Sequence, residues 1–579
     1  MLLSDATIIR QPPYHYHFIA TAILITAIDH VRTDRMSSEE GYSPIRNIFY
    51  RISGAISKSY TRFERFVTFS KHPLLTVIIA GLILRIALIP FSFNADMKFW
   101  GWIVDIIDND YGLYSTEGYY YTPVWGYVLG VSSFLGKLLG ITDYGALIPA
   151  FVPYMSESYT VYEYVMSIGF SFVAKAPLIA ADVVTALLLH RFVKSVTGND
   201  AKAVMSAALW LLCPLVLMET GIHGMPDNLS AMFLLLTIML TYERKYFSAG
   251  IALSFAMLVK IFPICFVFLL TVWIFKKEGW NVNGLKKIGM AVLGSVIGFV
   301  VLNIPSIISN NIWETMRFFT DRIGISTARI NELLPLSHIA LILLILFTVS
   351  AIMFILLRER ISELKEKIRM MDSKKRDKLA IHLTVAFTFI LMIAVAVYSV
   401  ITVSRMGNAD LPRYLESIAM KIMIIIALIS VSLSIFIAYR FAFSGELKDD
   451  KLFTALMLTS SFLFIWMPLP QYPIAILPLM IIYVVAVDRR FFIPFIMFTV
   501  CMTLYETAMG GITALFSVAS FTSLIDINLV TSFLDFYTNK SFFIEPSTLF
   551  IVLFGAIAYI SMIYIPFKWL REHNWGRIE

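Results

Sequence analysis

The chain has 579 residues, of which 58% are hydrophobic and only 15% are charged, with a mean hydropathy of +0.76. Soluble globular proteins carry about 25% charged residues, so this composition excludes a soluble fold and predicts an all-α polytopic membrane protein. The net charge of +7 does not indicate nucleic-acid binding, because the basic residues mark the ends of apolar segments. The three cysteines lie inside apolar runs, which argues against disulfides and zinc.

The first apolar run long enough to cross a bilayer covers residues 74–93, and five basic residues precede it. Residues 1–72 therefore form a cytoplasmic or interfacial amino-terminal segment, and Asp96 lies on the opposite side of the membrane. An acidic group held at the exit of a first span is a candidate for a functional site.

The next strongly basic flank, at 190–194, follows the apolar run 165–189. The stretch 94–162 is therefore predicted to be one external loop. Its semi-apolar segment 121–140 forms an interfacial helix that lies on or dips into the membrane. The alternative is that this segment and residues 148–154 each cross the membrane and form an extra pair of spans.

Further apolar runs alternate with cytoplasmic charges up to residue 567. The most charged segment, 358–379, predicts a cytoplasmic linker between a module at 73–357 and a carboxyl-terminal transmembrane module at 380–567. The tail 568–579 is basic and cytoplasmic. Two cytoplasmic ends require an even number of spans, about twelve to fourteen.

Four polar motifs are predicted on the external side: FNADMKFW, YYYTPVWGY, HGMPDN and MPLPQY, which begin at residues 93, 119, 223 and 467. Such recurrence on one face of an apolar chain indicates a single site built by several loops. Lys175 and Asp182 lie about two turns apart on one helical face, and we expect them to lock spans together.

The order of these motifs, with KAPLIAAD at 175–182 and GIALSFAMLVKIFPI at 250–264, resembles the GT-C glycosyltransferases. The resemblance covers roughly residues 74–490 and is closest to dolichyl-phosphate-mannose mannosyltransferases, such as the GPI mannosyltransferase I catalytic subunit and prokaryotic relatives. It implies a GT-C-like fold in a plasma or endoplasmic reticulum membrane. It also implies inverting transfer of a hexose, mannose by analogy, from a polyprenyl or dolichyl monophosphate to a lipid-, glycan- or protein-linked acceptor at the external or luminal side.

Under this resemblance Asp96 is the general base that deprotonates the acceptor hydroxyl. Its alternative role is to stabilise the start of the following helix. Related enzymes carry Asp-x-Asp in the first loop, whereas this chain has Asn94 in the first position. A metal-chelating pair is therefore in doubt. No cofactor is required by these residues, and a divalent metal stays an open alternative.

Cations that could bind the donor phosphate are Lys260, in the predicted hairpin 249–274, and three loop arginines, Arg317, Arg322 and Arg329. Lys260 is costly in lipid unless it faces a partner, and Pro263 should break the helix beside it. Its alternative is to snorkel along its stem, and the alternative for each arginine is a solvated loop position.

Six residues are candidates for contact with the acceptor or the sugar: Asp227, Asn228, His223, Gln471, Tyr472 and Tyr121. Asp227 could equally cap a helix, His223 could be an ordinary interfacial histidine, and tyrosines are common in aromatic belts.

Two rival functions are a transporter or flippase of a lipid-linked substrate and a non-catalytic scaffold subunit. The absence of a sequence repeat and the one-sided polar motifs disfavour the transporter. The set of Asp96, HGMPDN and the late PQY motif argues against the scaffold subunit.

Overall fold

The computed structural model of the chain describes residues 58–309, 434–466 and 472–537, each with short gaps, and a few isolated positions besides. Several predicted features lie outside these residues. They are Arg317, Arg322, Arg329 and Gln471, the linker 358–379, and the tail 568–579.

The first described part is built from helices and one β-hairpin. In chain order these are α1 (Lys58–Thr68), α2 (Pro73–Leu88), α3 (Asn94–Asp108), α4 (Pro123–Leu138), β1 (Gly145–Tyr154), β2 (Glu157–Met166), α5 (Ile168–Thr197), α6 (Asp200–Leu211), α7 (Pro214–Met218), α8 (Asp227–Tyr242), α9 (Tyr246–Val259), α10 (Val267–Glu278), α11 (Val282–Leu302) and α12 (Ile304–Ile308). The later part contributes α13 (Asp449–Trp466), α14 (Leu477–Ile482), α15 (Phe492–Met509), α16 (Leu515–Phe521) and α17 (Ile527–Tyr537).

Three helices among the described residues are long and apolar enough to cross a membrane: Ile168–Thr197, Val282–Leu302 and Arg489–Ala508. The number rises to five if two bent helix pairs, α1 with α2 and Asp200–Leu211 with Pro214–His223, each count as one span. The chain is therefore an α-helical membrane protein, as its composition predicts. The total of about twelve to fourteen spans stays a prediction for the whole chain.

The alternative that residues 148–154 belong to an extra pair of spans is wrong. This apolar stretch is strand β1, which pairs antiparallel with β2 so that Tyr154 lies opposite Glu157. Two prolines, Pro149 and Pro153, explain the outcome, because a proline within a helix removes a backbone donor and clashes with the preceding turn. The all-α prediction thus needs one correction, a two-stranded hairpin between α4 and α5.

The predicted helix break beside Lys260 is confirmed. Helix α9 ends at Val259, Lys260 is extended with φ −146° and ψ 141°, and a short 3-10 helix begins at Phe262. Residues from other parts of the chain donate hydrogen bonds to carbonyl groups in the last turn before the break. Thr122 donates to the Leu258 oxygen, and Ser230 donates to the Ala256 oxygen at 3.0 Å. These bonds allow a broken helix in a setting without water.

Helices α9 and α11 approach each other closely through glycine. A Cβ placed on Gly250 would lie 1.9 Å from the Ala291 carbonyl oxygen, and one on Gly294 would lie 2.0 Å from the Phe247 oxygen. Ser295 adds a hydrogen bond to the Gly250 carbonyl at 3.0 Å. Small residues at a helix interface are the usual means of association in membranes, where apolar side chains gain little by meeting each other rather than lipid.

Candidate functional site

Three distant helix ends meet around His223 and form what we call the histidine cluster: Asp96, Glu219, His223 and Glu506. Pro214 restarts the chain as α7, and a π turn, Glu219–His223, follows it and ends at the left-handed Gly224. Nε2 of His223 contacts a carboxylate oxygen of Asp96, in the first turn of α3, and Nδ1 contacts Glu506, near the end of α15. An oxygen of Glu219 lies 3.2 Å from the same Nδ1.

The histidine cluster holds more acidic than basic groups. One imidazole, which carries at most a single positive charge, faces three carboxylates, and the side chains of Glu219 and Glu506 are 0% and 2% exposed. Neither oxygen of Glu219 and only one oxygen of Glu506 receives a hydrogen bond from the described part of the chain. Asp96, at 31%, is the more open side chain. His223, Glu219 and Glu506 could therefore hold a cation.

A second group, the lysine cluster, brings together Asp227, Lys260, Tyr121 and Tyr472. The Lys260 ammonium lies 3.3 Å from an Asp227 oxygen. It also lies over two rings, 5.2 Å from the centroid of Tyr121 and 5.0 Å from that of Tyr472. Because Asp227 and Lys260 are both buried, the pair and the rings replace the water that a lysine loses. The alternative of a snorkelling Lys260 does not fit this burial.

The YYYTPVWGY motif supplies one wall of the lysine cluster. The Tyr119 hydroxyl donates to the Thr122 carbonyl at 2.8 Å and accepts from the Gly126 N–H at 2.8 Å, which fixes the turn between them. Burial raises the pKa of the Tyr119 phenol well above its ordinary value, so the hydroxyl stays a neutral donor. Tyr121 is thereby held against Lys260.

Trp100 connects the two clusters. Its indole N–H donates to the Gly224 carbonyl at 3.0 Å, in the turn that separates His223 from Asp227. Its ring lies edge to face against Tyr121 with centroids 5.3 Å apart. Gly224 has φ +74°, a conformation that glycine adopts without strain. The motifs FNADMKFW, YYYTPVWGY and HGMPDN therefore meet in one place, as the sequence predicts for a single site.

A buried ion pair lies next to Asn228, the residue that follows Asp227. Arg85 of α2 donates to Asp182 of α5 at 2.8 Å, and both side chains are fully buried. Arg85 also donates to the carbonyl oxygens of Gly81 and Leu211. Asn228 donates to Asp182 at 3.0 Å and to the Leu178 oxygen at 2.7 Å. Asn228 thus points away from Asp227 and belongs to this pair.

Lys175 holds the end of α2. Its ammonium donates to the carbonyl oxygens of Ile89 and Phe91 at 3.0 and 2.7 Å and to the Ser92 hydroxyl at 2.9 Å. Carbonyl groups at a helix carboxyl terminus carry partial negative charge and lack intrahelical donors, so a lysine there satisfies both needs. Lys175 and Asp182 both fasten α5 to α2, which confirms that they lock spans together.

The structure thus groups Asp96 with His223, and Asp227 with Lys260, Tyr121 and Tyr472. The prediction missed Glu219, Glu506 and Arg85. Each is a charged residue in or beside an apolar run, which marks a residue that needs a partner inside the protein.

The comparisons with known proteins point to another function. Residues 146–339 match the family model described as GPI transamidase subunit PIG-U. The match covers about a third of the chain, so it is a similarity of one segment. No curated protein matches the chain.

The predicted glycosyltransferase activity is therefore wrong, as is the classification as a hexosyltransferase. The family that matches is a subunit of a transamidase, an enzyme that exchanges the amine of an amide, and not an enzyme that transfers mannose from dolichyl phosphate. The predicted polyprenyl-phosphate sugar donor loses its support with it. The supported part of the resemblance is more general: this is a membrane protein with a segment similar to a family of the GPI pathway.

Proposed function

We propose that this chain is a membrane subunit of a transamidase complex that joins proteins to glycosylphosphatidylinositol lipids, and that it serves there as a scaffold rather than as the catalyst. The family match is the observation that carries the proposal. Its range, 146–339, includes the helices α5 to α11, and within this range lie the lysine cluster residues Asp227 and Lys260 together with His223.

The contacts of the buried charges support a scaffold. Arg85 lies against Asp182 and Lys260 against Asp227, and Lys175 donates to three oxygens at the end of α2. A catalytic acid or base needs a position that a substrate proton can reach. These groups instead bind each other across helices, which is how charged residues inside a membrane protein hold a fixed arrangement of spans.

The proposal places the chain in the endoplasmic reticulum membrane with both ends cytoplasmic and the two clusters on the luminal side. This orientation is inferred from the basic residues that precede the first span and flank position 190, because basic flanks are typical of the cytoplasmic side. His223 meets Asp96, in the first turn of α3, and Glu506, near the end of α15. Glu506 lies at one end of the span Arg489–Ala508, and the basic residues Arg489 and Arg490 lie at the other end. A GT-C-like arrangement of the spans remains part of this proposal.

The test is purification of the tagged chain from its own membrane in a mild detergent. The expected result is an assembly larger than the single chain that contains other proteins in fixed ratio. This assembly should move the acyl end of a peptide amide to a small amine such as hydroxylamine. Chain produced alone should lack this exchange.

The matched control is an unrelated tagged multi-span protein from the same membrane, purified in the same detergent. The proposal is refuted if the chain elutes alone and the exchange activity stays in the unbound fraction. It is refuted equally if the isolated chain carries out the exchange by itself, because the chain would then be the catalyst.

A further inference from the structure

The histidine cluster has the composition and geometry of a metal site. Ligand atoms from Glu219, His223 and Glu506 all lie within 4.8 Å of one another. Donor atoms bound to one tetrahedral zinc ion at about 2.0–2.2 Å lie about 3.4 Å apart, so the widest pair must close and the close contact between His223 Nδ1 and Glu506 must open when an ion enters. One imidazole and two carboxylates form a donor set that suits zinc, and the site uses no cysteine, the residue type from which zinc was discounted.

The partners of the His223 ring favour a metal over a simple ion pair. Nδ1 faces both glutamates, whereas Nε2 faces Asp96. A histidine that binds a metal through one nitrogen usually donates the proton of the other nitrogen to a carboxylate. Asp96 occupies that outer position, so it would fix the tautomer that leaves the Nδ1 lone pair directed toward Glu219 and Glu506.

The carboxylate oxygens that lack a hydrogen bond within the described part of the chain are an independent sign that the cluster suits a cation. Glu219 is completely buried, yet neither of its oxygens accepts a hydrogen bond from the described residues, and one oxygen of Glu506 is in the same condition. Three carboxylates around one imidazolium would leave an excess of negative charge, which is costly in a medium of low dielectric constant. A divalent ion removes most of that excess and supplies the partner that these oxygens lack.

We propose that Glu219, His223 and Glu506 bind a zinc ion, with Asp96 as the outer carboxylate that positions the histidine ring. The ion would tie the end of α7 to α15 and, through Asp96, to α3. The partly exposed Asp96 gives the ion a route of entry. Its role is to hold the helix ends together, whichever complex the chain belongs to.

The test is zinc binding by the full-length chain in detergent, first stripped with a chelator and then titrated with Zn²⁺. We expect wild type to retain a single ion after gel filtration. Glu219→Gln and Glu506→Gln should each weaken binding by at least about tenfold, and Asp96→Asn by about 10–100-fold. The matched control is Glu243→Gln, which removes a carboxylate at the far end of α8 that pairs with Arg191, and it should bind zinc as wild type does.

A second measurement covers variants that fold poorly. Zinc in excess should raise the melting temperature of the wild-type chain and of Glu243→Gln, because a ligand that binds only the folded state stabilises it. The proposal is overturned if wild type retains no more zinc than Glu219→Gln and its melting temperature does not respond to zinc. In that case the carboxyl groups of the cluster would be neutralised by bound protons and not by a metal ion. If Asp96→Asn binds zinc with the affinity of wild type, Asp96 does not position the histidine ring.

Discussion

The buried pair of Arg85 and Asp182 gives the sharpest test of how charges hold this bundle together. Asp182→Asn keeps the size of the side chain and its place beside Asn228 but removes the charge that faces Arg85. We expect the variant to be destabilised because it leaves a cation in a fully buried position.

The magnitude follows from the contacts that remain. Removal of one partner of a buried ion pair costs about 3–5 kcal/mol. Arg85 keeps its hydrogen bonds to the carbonyl oxygens of Gly81 at 3.1 Å and Leu211 at 2.8 Å, so we expect the lower end of that range. At roughly 2 °C per kcal/mol for a large domain, a loss of about 3 kcal/mol lowers the melting temperature by up to about 6 °C.

The assay is the fraction of chain that remains monodisperse on size-exclusion chromatography after heating in detergent. The double variant Arg85→Met with Asp182→Asn should recover most of the loss, because it removes the buried cation that Asp182→Asn leaves without its partner. Glu243→Gln, which breaks a largely exposed pair with Arg191, should change stability by about 1 kcal/mol or less. The reasoning is refuted if Asp182→Asn melts like wild type, or if the double variant is as unstable as the single one.

Two further substitutions test the packing of the described helices by the same heating assay. Lys260→Met should leave Asp227 buried without its cation and cost about 3 kcal/mol or more, and adding Asp227→Asn should restore part of the loss; equal stability of Lys260→Met and wild type would show that the pair contributes nothing. Gly294→Ala should destabilise by about 1–3 kcal/mol, since its Cβ would collide with the Phe247 carbonyl. Gly289→Ala on the same helix, where a Cβ meets nothing within 4 Å, should be neutral or slightly stabilising, and similar losses in both variants would contradict the close approach of α9 and α11.

Local features of the chain were predictable from the sequence. The break at Lys260 followed from a lysine and Pro263 in an apolar run, and the runs at 165–189 and 288–304 coincide with α5 and α11. The meeting of Asp96 with His223 followed from the predicted side of each motif. Such inferences need only short stretches of chain and the distribution of basic residues.

Partners that are distant in the chain were not predictable. Glu506 is 283 positions from His223, and Arg85 is 97 positions from Asp182, so no spacing rule relates them. The hairpin at residues 145–166 was missed because a short apolar run fits a span fragment as well as a strand. Pro149 and Pro153, two prolines four residues apart, were the available signal against a helical span.

The prediction of the function was wrong for a different reason. The motifs at 175–182, 223–228 and 250–264 all lie inside the segment that matches the transamidase subunit family. These motifs form salt bridges, helix breaks and turns that hold spans together, so they indicate an architecture. An architecture does not specify a reaction, and the step from motif to sugar transfer was an analogy.

The most direct test of the proposed role is the identity of the lipid that accumulates when source cells are depleted of this chain. Mass spectrometry of extracted lipids should show a complete glycosylphosphatidylinositol precursor that retains its amine, together with protein that has not received an anchor. Return of the wild-type chain should reverse both. A precursor that lacks one hexose, or no change in the glycosylphosphatidylinositol lipids, would contradict the account.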